Sequence, residues 1–197
     1  MTVQKGARLN ARSTLHLLGA GAAAGLVSSI AIGALVMLAE RVALLPMGTF
    51  YMVLALAVLH SANYSVYAIL QGLLMHLAAG TVLGLLIAAP FATSKTRSML
   101  RFAPALGLAA GVLVWVGLFL PVTYGVMAPL LKSFEGQPDI RQRAPDSFLF
   151  QVAISDLVSM IDRVVYTALA FNVLYGLVAL IMTRSLAGAP RGEQVIL

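Results

Sequence analysis

The 197-residue chain has no cysteine, a single tryptophan, three histidines and only 10% charged residues, seven of them acidic. The lack of cysteine excludes a disulfide framework, a thiolate metal site and a cysteine nucleophile, and leaves the redox compartment unread. The shortage of charge, against about 25% in an ordinary soluble domain, excludes a disordered or nucleic-acid-binding chain. With 60% hydrophobic residues, there is more apolar surface than one small soluble core could hide. The net charge of +6 sets thirteen basic residues against seven acids, so it reflects missing acids rather than a dense basic patch. What the chain does have is long apolar runs. It reads as an all-α integral membrane protein.

A membrane has no water to satisfy backbone polar groups, so an apolar run of about 20 residues predicts a helix crossing a core roughly 30 Å thick. Four such runs are present: Leu15 to Ala39; Tyr67 to Ala89; Ala105 to Leu120, continuing through Pro121 toward Pro129; and Arg163 to Met182. Lys5, Arg8 and Arg12 before the first run would also suit a secretory signal. An h-region of about 7 to 15 residues is much shorter than this run, which favours an uncleaved span.

Charge placement predicts the orientation. Lys5, Arg8, Arg12, Lys95, Arg97, Arg101, Arg184 and Arg191 share one side with a single acid, Glu193. The other side holds Arg41, Lys132, Arg141, Arg143 and Arg163 against Glu40, Glu135, Asp139, Asp146, Asp156 and Asp162. The positive-inside rule then puts both termini in the cytoplasm and the two longer connections outside.

The glycines suggest an internal repeat. Gly21 to Val27 in the first run resembles Gly107 to Leu113 in the third, and Met75 to Gly80 in the second resembles Phe171 to Gly176 in the fourth. Each half also carries a short apolar or amphipathic piece after a proline: Met47 to Leu59 after Pro46, and Ser147 to Ile161 after Pro145. The expected architecture is two parallel helical-hairpin repeats, each with a short outer helix or re-entrant segment. The single membrane domain, 1–197, then divides into a tail (1–14), a first hairpin (15–91), a cytoplasmic loop (92–102), a second hairpin (103–184) with an outer loop (132–147), and a second tail (185–197). Small residues four apart flatten a helix face and allow close backbone approach in lipid. Gly21 and Gly25, Ser29 and Gly33, Gly80 and Gly84, and Gly107 and Gly111 have that spacing, and Gly176 closes the set.

Polar groups within spans are the candidates for chemistry. His76 lies mid-span, with Gln71 and Asn172 as expected hydrogen-bonding neighbours. This is an interhelical contact in one reading and a ligand or proton site in another. His60, Asn63, Tyr64, Asp156, Asp162 and Arg163 fall near the outer boundary. There Asp156 with Arg163, and Asp162 with Tyr166, have helical spacing for an anchoring cluster. A divalent-metal site from two carboxylates and His60 has no diagnostic spacing to support it. Met47, Met52, Met127 and Met160 near His60 could suit Cu(I), but they are dispersed in the way gap-filling methionines are. No nucleotide loop, GxSxG elbow or phosphate-cradling Gly-Lys pair occurs, which argues against catalysis by this chain. The loop from Lys132 to Ser147 reads equally as a solvated linker or as a docking surface of mixed charge.

Four elements together resemble a family of small, uncharacterised four-span prokaryotic membrane proteins. They are Pro46-Met47-Gly48-Thr49-Phe50-Tyr51; the segment Leu73 to Gly84; Phe119-Leu120-Pro121-Val122 with Pro129-Leu130; and Leu174-Tyr175-Gly176. That family's cues are a mid-span His followed by Gly, a Gly-rich third span with an outer aromatic, and a closing His-x-x-Tyr-Gly. Trp115 fits the second cue, whereas Asn172 stands where the family often has a second His, which weakens any two-histidine site. The resemblance covers nearly all of the chain after Leu15, on motifs of a packing type. The Gly-Thr-Phe-Tyr and Phe-Leu-Pro-Val elements look like archaeal members from ammonia-oxidising organisms, where such proteins are candidate accessory subunits of the copper-dependent ammonia monooxygenase. The resemblance implies a non-catalytic subunit of the prokaryotic cell membrane, without a cofactor of its own and with copper held by partner subunits. Its partners would be membrane lipids and other integral membrane subunits, not nucleic acid. The contrasting expectation is a small transporter or channel with a polar path near His76.

Overall fold

A computed structural model describes residues 2–59, 65–134 and 147–188. Of these, 92% are helical and none is in a strand. Four helical runs are long and apolar enough to cross a membrane: Ser13–Val42, Val66–Phe91, Lys95–Phe134 and Ile161–Leu186. The chain is a multi-pass membrane protein. Two shorter helices, Thr49–Leu59 and Ser147–Ser159, lie between the members of each pair. Hydroxyls inside the spans bond back to the preceding turn: Ser28 to the Ala24 carbonyl, Thr81 to that of Leu77, and Thr183 to that of Ala179. Each is thereby satisfied without water.

The first and second spans meet at their glycines. A Cβ on Gly25 would collide with the Gly80 carbonyl and the Gly84 backbone, and one on Gly84 would collide with the Gly21 carbonyl and the Gly25 backbone. The third and fourth spans form the same kind of seam. A Cβ on Gly107 would meet the Gly176 carbonyl, one on Gly111 the Asn172 carbonyl, and one on Gly176 the backbones of Gly107 and Gly111. These contacts place Gly84 in the position of Gly176 and Gly80 in that of Asn172. That is one helical turn from the sequence match of Gly80 with Gly176, because close approach follows the crossing point of the helices and not the similarity of the residues around it.

The third span runs on past the proline at which the apolar run pauses. Pro121 and Pro129 each lack an N–H and crowd the carbonyl four residues back. Trp115–Phe119 and Thr123–Met127 are π-helical, and the amides of Leu120 and Ala128 reach back five residues to the Trp115 and Thr123 carbonyls. Each widened turn precedes one of the prolines and contains a glycine, Gly117 or Gly125. The helix thus continues through both prolines to Phe134.

The two pairs join through Tyr175, whose hydroxyl donates to the Gly80 carbonyl at 2.5 Å while its ring packs with Ile32 and Ala179. At one end of the bundle Leu17, Phe91, Leu100, Ala103 and Leu180 form a buried cluster. At the other end, Met52 and Leu56 of the first short helix pack with Leu131 of the third span and Ile154 of the second short helix. Tyr175→Phe removes a single buried hydrogen bond and leaves the ring in place. It is expected to lower unfolding free energy in detergent by about 1 kcal/mol without changing helical content, as read by denaturant titration.

Candidate functional site

The polar residues of the first pair of spans converge on His76. Gly72, His76, Gly80 and Gly84 recur every fourth residue and so form one strip along the second span. Gly72 lets the backbone of Tyr51 press directly against this strip, which seats the short helix Thr49–Leu59 on the second span. Phe50 and Tyr51 then flank the imidazole edge to face, with ring centroids 5.9 and 5.7 Å from that of His76. The His76 Nε2 lies 3.1 Å from the Ser29 carbonyl of the first span. A carbonyl only accepts, so Nε2 carries the proton in this contact.

Two side-chain oxygens here are fully enclosed and have no hydrogen-bond partner among the described residues: Ser29 Oγ and Tyr51 Oη. Each is packed against a glycine. A Cβ on Gly80 would coincide with Ser29 Oγ, and one on Gly33 would come within 2.6 Å of Tyr51 Oη. The facing glycine thus lies close beside each hydroxyl, where any side chain would collide with it.

The short helix is fixed from its start by Glu40. This carboxylate, 4% exposed, accepts the Gly48 amide at 2.7 Å on Oε2 and the Phe50 amide at 2.6 Å on Oε1. The first span ends at Val42 and the chain reverses through Leu44 (φ +59°) and Gly48 (φ +86°), which turns the amides of Gly48 and Phe50 back toward Glu40. An anionic side chain at a helix N-terminus takes up otherwise unpaired amides and meets the positive end of the helix dipole. Sequence reasoning counts Glu40 among the outer-side charges, names Tyr51 only within the Pro46-to-Tyr51 element, and passes over Gly72. The four-residue register that Gly72 shares with His76, Gly80 and Gly84 was the available signal for it, whereas nothing local marks Glu40 as buried.

The other expected groupings are rearranged. Among the described residues no hydrogen bond links His76 to Gln71 or Asn172. The Asn172 amide donates to the Ala168 carbonyl of its own helix, and its backbone forms the seam with Gly111. Asp156 and Arg163 are separated by a break at Met160 (φ −115°, ψ 15°), so two helical turns do not connect them. Asp162 pairs with Tyr124 of the third span at 2.9 Å, rather than with Tyr166 on its own helix. Trp115 donates from Nε1 to the Val165 carbonyl, binding the first π-helical turn to the fourth span. His60, Asn63 and Tyr64, and positions 135–146 of the outer loop, lie outside the described residues. Among the described residues no group of three His, Asp or Glu side chains gathers as a metal site.

No family model, curated protein or solved structure matches the chain. The site's aromatic walls, its carboxylate-held short helix and its close glycine contacts make it a joint between three helices.

Proposed function

We propose that this chain is a non-catalytic integral membrane subunit that packs against and stabilises a larger membrane enzyme complex. Following the resemblance, that complex is of the copper-dependent ammonia monooxygenase class, with the metal in partner subunits, and the chain resides in a prokaryotic cell membrane with both termini cytoplasmic. The observation that carries this reading is the third span. It is the longest of the four, yet buries 11% of its most apolar window, against 33% for the first and fourth spans. Val116, Leu118, Val122, Tyr124 and Val126 are exposed along it, and the space beside Gly117 and Gly125 is open. The glycines of the seams are consumed by contacts within the chain, whereas these two remain accessible to a neighbouring helix.

The test is copurification. A tagged chain extracted from native membranes in mild detergent should bring larger membrane subunits with it in fixed stoichiometry, and a chain that consistently purifies alone would sink the proposal. Gly117→Leu places its new side chain in open space. We expect the variant to stay folded, as judged by thermal unfolding, while the recovered partner falls several-fold. Equal recovery would remove the third span from the interface.

A further inference from the structure

The end of the bundle formed by the 89–102 connection is unusually one-signed. Lys95, Arg97, Arg101 and Arg184 gather there, and no Asp or Glu accompanies them among the described residues. Two of the arginines are held by main-chain carbonyls: Arg97 Nη2 donates to Ala187 at 3.1 Å, and Arg184 Nη1 donates to Arg101 at 3.2 Å. The second bond leaves the rest of the Arg184 guanidinium without a protein acceptor among the described residues.

Beside it is an open cavity of about 430 Å³ lined by Pro104, Ile181, Arg184 and Ser185, between the start of the helix Ala103–Val114 within the third span and the last turns of the fourth span. The Ser185 hydroxyl is already bonded to the Ile181 carbonyl, so the Arg184 guanidinium is the side-chain donor facing the cavity. Exposed aliphatic side chains follow the cavity-lining residues along both helices. Leu108 and Val112 follow Pro104 at four-residue spacing, Leu174 precedes Ile181 by two turns, and all four of these aliphatic side chains are exposed. Arg101 stacks on the exposed Phe102 ring at 4.7 Å, the pairing of cation and aromatic found at membrane–water boundaries.

We propose that this cavity binds the headgroup phosphate of an anionic phospholipid, with Arg184 as the principal phosphate donor and one acyl chain lying along Leu108, Val112 and Leu174. A guanidinium anchored through one N–H presents its remaining donors to phosphate oxygens. A zwitterionic headgroup would bring an ammonium toward four cations with no carboxylate among the described residues to receive it, so a net negative headgroup is selected. Basic pockets between helices at a membrane surface recognise lipid in this way.

Native mass spectrometry of the purified chain, incubated with phosphatidylglycerol or with phosphatidylcholine of matched chains, tests the assignment. Wild type should retain phosphatidylglycerol preferentially, and Arg184→Gln should reduce that retention about fivefold. Ile181→Trp puts a bulky ring into the cavity beside Arg184 without altering charge and should also reduce it, which separates loss of the site from loosening of the Arg184 contact. Arg163→Gln, at the opposite end of the fourth span, should leave it unchanged. Equal losses in Arg184→Gln and Arg163→Gln would mean diffuse charge attraction and overturn the site, as would full retention in Ile181→Trp. If inorganic phosphate displaces the lipid completely at equal concentration, the cavity holds a free anion and the lipid assignment fails.

Discussion

Gly84→Leu is expected to prevent the first two spans from closing and to leave little folded protein. The new Cβ would collide with the Gly21 carbonyl and with the Gly25 backbone on the facing helix. Side-chain collisions can be relieved by a change of rotamer, but backbone collisions require one helix to move away from the other. Separation would also pull Gly80 from Ser29, break the His76–Ser29 hydrogen bond, and displace the Gly80 carbonyl that receives Tyr175. Overpacking a tight site costs about 1–3 kcal/mol where the neighbours can adjust. Two helix backbones adjust less than side chains do, so the upper end of that range or more is expected. Thermal unfolding and monodisperse yield in detergent would read the loss. Gly125→Leu is the matched control, since the space beside Gly125 is open and its stability should be unchanged.

Glu40→Ala should be nearly as damaging, by a different route. It leaves the Gly48 and Phe50 amides without their acceptor at a position that is 4% exposed. Orphaning a buried donor costs about 1–3 kcal/mol for each group, so the pair can amount to about 2–6 kcal/mol. The loss falls on the start of the short helix, and Phe50 and Tyr51 in its first turn are the residues that wall in His76. Glu40→Gln retains one side-chain carbonyl oxygen and should recover part of the stability. Hydrogen exchange over Thr49–Leu59 would distinguish local release of this helix from global unfolding. Unchanged protection there in Glu40→Ala would show that the carboxylate does not hold it.

Neither effect follows from composition. Gly21, Gly25, Gly80, Gly84, Gly107, Gly111 and Gly176 were all legible as a small-residue pattern, because four-residue spacing flattens a helix face wherever it occurs. Which glycine faces which was not legible, since sequence similarity paired Gly80 with Gly176 while the helix crossings pair Gly84 with it. His76 was legible as an interhelical contact, but its partner is a main-chain carbonyl, Ser29, and carbonyls carry no sequence signature. Asp162 found Tyr124 from another span for a similar reason: helical spacing describes neighbours on one helix and is blind to a helix brought alongside. Glu40 looks like any charge at the end of an apolar run until the reversal at Leu44 and Gly48 brings two amides back to it.

The sequence by itself determined that the chain is helical and lies in a membrane, and where its four apolar runs fall. These are local consequences of backbone polarity and hydropathy, settled within about 20 residues. Only the tertiary structure decided the seam registers, the burial of Glu40, the enclosure of His76 by Phe50 and Tyr51, and the open face left on the third span. Each of these depends on where two helices cross, and the crossing is set by which backbones can approach closely once their side chains are absent.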